Sequence, residues 1–168
     1  MQEKIKKLLN YLNTELSYYE SLLDYSKAKN KSLIERNIDD ISIITQKEEK
    51  LVSKIKDTEK YRIELLKEIS KETNIKFEDL NISAIANYAQ DEKTKNELLE
   101  KKKILSEILE ELRKYNDQNT ELIKQALDVI NHTVRVMNNT MNNPNLYNKQ
   151  KQEQVAKNQQ SFLFDKKV

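Results

Sequence analysis

The chain has 168 residues, 35% charged and 37% hydrophobic, a balance that suits long helices burying one stripe each better than a globule with a thick core. Glycine and cysteine are absent and Pro144 is the single proline, which argues against sheets built on glycine turns and excludes glycine-rich phosphate loops, disulfides and thiolate metal sites. The net charge is +2 with Lys and Glu mixed throughout, so no concentrated basic face addresses nucleic acid, and no run approaches the roughly 20 apolar residues of a membrane span.

The start of the chain, Met1-Gln2-Glu3-Lys4-Ile5, leads into an amphipathic pattern and not a signal-peptide apolar run. A cytoplasmic protein without membrane insertion is therefore expected. The first helix is predicted over residues 4–36. Ile5, Leu8, Leu9, Leu12, Leu16, Tyr19, Leu22, Leu23, Leu33 and Ile34 recur at steps of three and four and share one face.

Asn37-Ile38-Asp39-Asp40 follows. Asn37 is a good N-cap, and two aspartates in a first turn complement the helix dipole. This reads as a tight turn into a second, antiparallel helix over 39–72. Its seam is 41, 44, 48, 51, 55, 58, 62, 65 and 69, interrupted by Glu48, Thr58 and Arg62. An interrupted seam needs more than one neighbour. Asn74 is suited to a left-handed cap. Residues 77–90 form a connector in which Leu80, Ile82, Ile85, Ala86 and Ala89 can make a short helix covering the bundle end.

The third long helix is predicted over 91–138. Leu98, Leu105, Leu112, Asn119, Ala126 and Thr133 lie seven apart, which places Asn119 in the seam. Asparagine there costs stability and fixes register. Residues 139–168, rich in Asn, Gln and Lys, lack a continuous stripe and are expected to be largely disordered. They carry two apolar islands, Leu146-Tyr147 and Phe162-Leu163-Phe164; the second has no assigned role. The expected fold is all-α: an elongated antiparallel, coiled-coil-like bundle of three long helices with a short connector helix, a helical domain over 1–138 and a tail over 139–168.

Helix lengths point to a surface. At about 1.5 Å per residue the first two helices reach about 50 Å and the third about 70 Å, which leaves about a third of it without a partner. That part is apolar on two rows: Leu122, Ala126, Val129, Thr133 and Met137, then Ile123, Leu127, Ile130, Val134 and Met141. Either the connector folds over and buries the second row, or the strip docks a partner helix. Methionines suit a surface that adapts to varied partners.

Catalytic constellations are missing. His132 follows Asp128 by four residues, but one imidazole and one carboxylate do not make a metal site. The residue three before His132 is Val129, so the Glu-x-x-His pattern of ferritin-like iron sites fails. No catalytic residue, metal ligand, cofactor or small-molecule substrate is expected.

The segment from Leu112 to Leu127 has a leucine-led start, asparagines three apart at Asn116 and Asn119, and then the apolar pair Leu122 and Ile123. With the N-terminal hairpin and its acidic turn, this resembles the FlgN-type flagellar export chaperones, over nearly the whole chain. The family's Leu-Tyr-Gly motif, closely preceded by proline, is matched by Pro144-Asn145-Leu146-Tyr147-Asn148, with Asn148 in place of glycine. The resemblance implies a cytoplasmic chaperone that holds the C-terminal helical ends of hook–filament junction proteins and delivers them to the export gate. It implies client contacts from Asn119, Leu122, Ile123, Ala126, Leu127, Ile130, Val134 and Met137, and docking on the cytoplasmic domain of the gate through Leu146 and Tyr147. The alternative is a structural coiled-coil scaffold that self-associates through the same strip.

Overall fold

The computed structural model describes residues 1–142, with side chains through residue 139. All regular structure among these residues is helical: α1 (Gln2–Glu35), α2 (Ile38–Thr73), α3 (Ile82–Ala86) and α4 (Glu92–Asn142). The chain divides into two compact units, residues 1–122 and 123–168. Leu146, Tyr147 and Phe162-Leu163-Phe164 lie outside the described residues.

The helix ends follow local chemistry. Arg36 closes α1 in the left-handed region at φ 58°, and the next amide, Asn37 N–H, donates back to Ser32 O at 2.9 Å. That is the six-to-one bond of a Schellman ending, built without glycine. Asn37 then caps α2: its Oδ1 accepts from Asp40 N–H at 3.2 Å, with Asp39 and Asp40 in the first turn. Asn74 ends α2 at φ 55°, the left-handed cap expected of it. Asp91 starts α4 by accepting from Thr94 N–H at 2.7 Å. That backbone bond, with a second from the Thr94 hydroxyl, holds the Asp91 carboxyl below its ordinary range. α4 runs four residues past the expected end at Asn138. Each residue added to an existing helix gains a bond without new nucleation.

In the first unit, α1 and α2 pair with opposite sense. Lys4 bridges to Glu72 at 3.0 Å, Tyr11 stacks on Tyr61 at 6.5 Å between ring centres, and the Tyr19 hydroxyl donates to Glu59 at 3.0 Å. Lys29 bridges to Glu48. Positions rise along α1 as they fall along α2. Every position of the predicted α2 seam is buried or half-buried, and two of its three polar interruptions meet a polar partner from α1: Glu48 faces Lys29, and Arg62 Nε donates to Glu15 Oε1 at 2.8 Å.

The apolar core gathers Ile5, Leu8, Leu9 and Leu12 of α1, Leu65 and Ile69 of α2, Leu80, Ile85 and Ala86 of the connector, and Leu98 of α4. Full burial of each Leu or Ile contributes about 1.5–3 kcal/mol. Leu80, Ile85 and Ala86 of the connector are therefore buried here, in the first unit, with Ile82 packed against them, while Phe77 is exposed. Asn81 caps α3, its Oδ1 accepting from Ala84 N–H at 2.9 Å. Within this unit α4 lies along α1 in the same sense. Gln2 Nε2 donates to Tyr88 O at 2.8 Å just before α4 begins, and Lys27 bridges to Glu111 at 2.8 Å further along. Leu98, Leu112 and Asn119 of the heptad are buried and Leu105 is half-buried. One member of the predicted α1 stripe departs from it: Ile34, in the last turn, is exposed.

Candidate functional site

Two features stand out, one in each unit. The first is a polar cluster within the helical seam of residues 1–122. Asn119 is 3% exposed. Its Nδ2 donates to the Ser26 carbonyl at 2.9 Å and lies 3.3 Å from Ser26 Oγ. Its Oδ1 accepts from Asn30 Nδ2 at 2.9 Å. Ser26 Oγ in turn donates to Asn116 Oδ1 at 3.0 Å. A donor–acceptor network of this kind is satisfied in one register only, because a shift by one helical step leaves several buried polar groups unpaired.

The α1 half of this cluster was readable as a gap. The apolar stripe of α1 runs from Ile5 to Leu23 and resumes at Leu33, and the omitted seam positions are Ser26 and Asn30. Asn116 and Asn119, taken from the α4 sequence pattern, are their partners.

A second polar pair lies lower in the same unit. Glu15 is 1% exposed, and only its Oε1 has a partner, Arg62; Oε2 has none among the described residues. Burial pushes the Glu15 carboxyl above its ordinary value, and Arg62 pulls it part of the way back. Burial, then the hydrogen bond to Glu59, pushes the neighbouring Tyr19 phenol up to about 12.

The second feature is an exposed apolar strip on the α4 segment of residues 123–139. Ile123, Leu127, Ile130, Val134 and Met137 fall at successive steps of four and three, which keeps them within about 80° of one helical face. They are 40–59% exposed. Val129, at 67%, and Val136, at 50%, widen the apolar surface on one side, and Ala126 is exposed between them and the main row. The opposite face carries Lys124, Asp128, His132 and Arg135. The strip is about 21 Å long at helical rise. A contiguous exposed apolar row rimmed by charge is the usual mark of an interaction surface.

Of the residues singled out from the sequence, Ile123, Ala126, Leu127, Ile130, Val134 and Met137 lie together in this segment, on or beside the row. Asn119 and Leu122 belong to the first unit. Leu122 is half-buried, and Asn119 has its side-chain amide committed to α1. Val129 and Val136 add apolar surface beyond the expected set; Val129 was visible as part of the first row.

Among the described residues no group of three or more His, Asp or Glu side chains is placed to hold a metal ion. No helix there is long and apolar enough to cross a membrane. This surface offers contact: apolar side chains at helical spacing, on a helix whose other side carries Lys124, Asp128, His132 and Arg135. No curated protein and no solved structure matches the chain. The family described as FlgN protein does match, over residues 1–154. The chain belongs to that family, the flagellar export chaperones.

Proposed function

We propose that this protein is a cytoplasmic chaperone that holds the C-terminal helical ends of hook–filament junction proteins on the α4 strip, keeps them from assembling early, and delivers them to the export gate. The observation that carries the reading is the exposed row Ile123, Leu127, Ile130, Val134 and Met137 in a member of a chaperone family. A subunit destined for a filament has amphipathic helices that pair with other subunits. A helix offering i, i+4, i+7 and i+11 anchors can cover such a face before export.

In this reading the three long helices act as one bundle, and residues 139–168 form a tail carrying the gate contact at Leu146 and Tyr147. Leu122 and Ala126 border the client. Asn119 serves it indirectly, through the register its hydrogen bonds impose on α4. Covering the exposed halves of five aliphatic side chains is worth about 0.8–1.5 kcal/mol each, about 4–8 kcal/mol before the cost of association. A micromolar complex needs about 8 kcal/mol net of that cost, so burial of the client's own apolar face must supply the remainder.

The test is calorimetric titration of the full chain with the C-terminal segment of a junction protein from the same genome. One-to-one binding at micromolar affinity or tighter is expected. It should weaken by at least about tenfold in Ile123→Asp with Ile130→Asp, since two of five anchors are lost and two carboxylates are brought against apolar surface. Both positions are exposed, so helicity should persist. Absence of binding, together with a homodimer in light scattering that the same substitutions dissolve, would replace this reading with the self-associating scaffold.

A further inference from the structure

The strip leaves a question about the client-free protein, because a row of aliphatic side chains in water is a liability for aggregation as well as a binding site. One segment of the chain is suited to cover it. Phe162-Leu163-Phe164 is the most apolar triplet after α4, and it is set in a stretch made largely of Lys, Gln and Asn. It also falls beyond residue 154, where the family match ends, so the flagellar chaperone family does not account for it.

Reach and chemistry agree. Phe162 lies twenty positions past Asn142, the last residue of α4. Twenty residues span up to about 70 Å, and the far end of the strip, Ile123, is about 28 Å back along the helix from Asn142. The triplet can therefore be laid anywhere on the row. The row itself holds only aliphatic and thioether side chains, among which two phenyl rings can seat, with Met137 offering a favourable sulfur–ring contact. Tethering matters here. A three-residue apolar contact is negligible between separate molecules, but a short covalent connection raises its effective concentration to about millimolar.

We infer that Phe162-Leu163-Phe164 docks on the strip formed by Leu127, Ile130, Val134 and Met137 when no client is bound, and that it acts as a resident placeholder. A client helix with four or five anchors outcompetes it, so the contact sets a threshold that weak, non-client helices fail to cross. The regulatory consequence rests on the chaperone reading; the contact itself does not.

The chain contains no cysteine, so Ser161→Cys accepts a nitroxide at a single position in the otherwise intact protein. With methyl-labelled Ile, Leu, Val and Met, the Leu127, Ile130, Val134 and Met137 signals should lose most of their intensity. Those of Ile5 and Ile69, in the core around Leu98, should not. The loss should be independent of protein concentration and should disappear when Phe162→Ser and Phe164→Ser are added. Untouched strip signals would overturn the inference. So would broadening that grows with concentration, because the occupant would then be a second copy. In the same protein without the label, Phe162→Ser with Phe164→Ser should bind the junction-protein segment several-fold more tightly than the unsubstituted chain. Equal affinities would remove the placeholder role. Failure of either form to bind the segment, with the nitroxide effect present, would sink the chaperone reading while supporting the contact.

Discussion

Replacing Arg62 with methionine removes the guanidinium from which Glu15 Oε1 accepts its hydrogen bond. The carboxylate left behind is 1% exposed, and its other oxygen already lacks a partner among the described residues. Breaking a buried pair from one side costs about 3–5 kcal/mol, because the remaining charge has neither water nor counter-charge. A protein of ordinary stability has only about 5–15 kcal/mol in total. With a urea slope of about 2 kcal/mol per molar, the unfolding midpoint should fall by about 1.5–2.5 M.

The pH dependence gives a sharper check. Burial already places the Glu15 carboxyl above its usual 4.5, and Arg62 is what pulls it down. Without Arg62 it rises further. Between the ordinary and the raised value, the folded protein keeps a proton that the unfolded chain has released, so stability falls as pH rises through that window and levels off above it. Arg62→Met should therefore lose more stability at about pH 8 than at a pH near the ordinary carboxyl value of 4.5, where the raised Glu15 carboxyl keeps its proton and the buried charge is absent. Urea unfolding followed by far-ultraviolet circular dichroism at both pH values measures this. Glu15→Leu combined with Arg62→Met should recover most of the loss, since no charge is then buried. A loss below about 1 kcal/mol, or one equal at the two pH values, would refute the account of Glu15 as a buried, Arg62-dependent carboxylate.

Asn119→Ala should cost about 1–3 kcal/mol, because it leaves the Ser26 carbonyl and the Asn30 amide without their partner in the seam; a urea midpoint unchanged from the parent would mean that water replaces the amide. Tyr19→Phe should flatten the alkaline stability profile. The folded phenol titrates at about 12 against an ordinary 10, so the parent loses stability as pH rises between those values and the variant lacks that contribution. Parallel profiles in that range would show that Tyr19 does not keep its proton on folding.

Much of this architecture is written in local pattern. Steps of three and four place Ile5, Leu8, Leu12 and Leu16 on one face of α1, and the nine seam positions of α2 are buried or half-buried as the spacing requires. Asn37 and Asn74 act as caps because an asparagine side chain can accept from the first turn and its backbone tolerates the left-handed region. Such features depend only on residues within a turn or two of each other. The end of α4 was less legible, since the polar run from Asn138 reads as a stop although an established helix continues through it.

The site was legible as a composition and undecided as a surface. Ile123, Leu127, Ile130 and Val134 announce an apolar row, but a row of that kind is equally a buried stripe, and the sequence alone left the connector free to cover it. Burial depends on what else competes for the same residues. Leu80, Ile85 and Ala86 are taken up by Ile5, Leu12, Ile69 and Leu98 in the core of the first unit, while the row on α4 remains exposed. The same holds for the polar side chains. Glu15, Ser26 and Asn30 look like breaks in a stripe until Arg62, Asn116 and Asn119, far away in the chain, arrive to satisfy them. Periodicity determined the helices and their faces. Which faces met, and which stayed in water, was decided only when distant segments packed, because hydrogen-bond satisfaction and burial are properties of pairs.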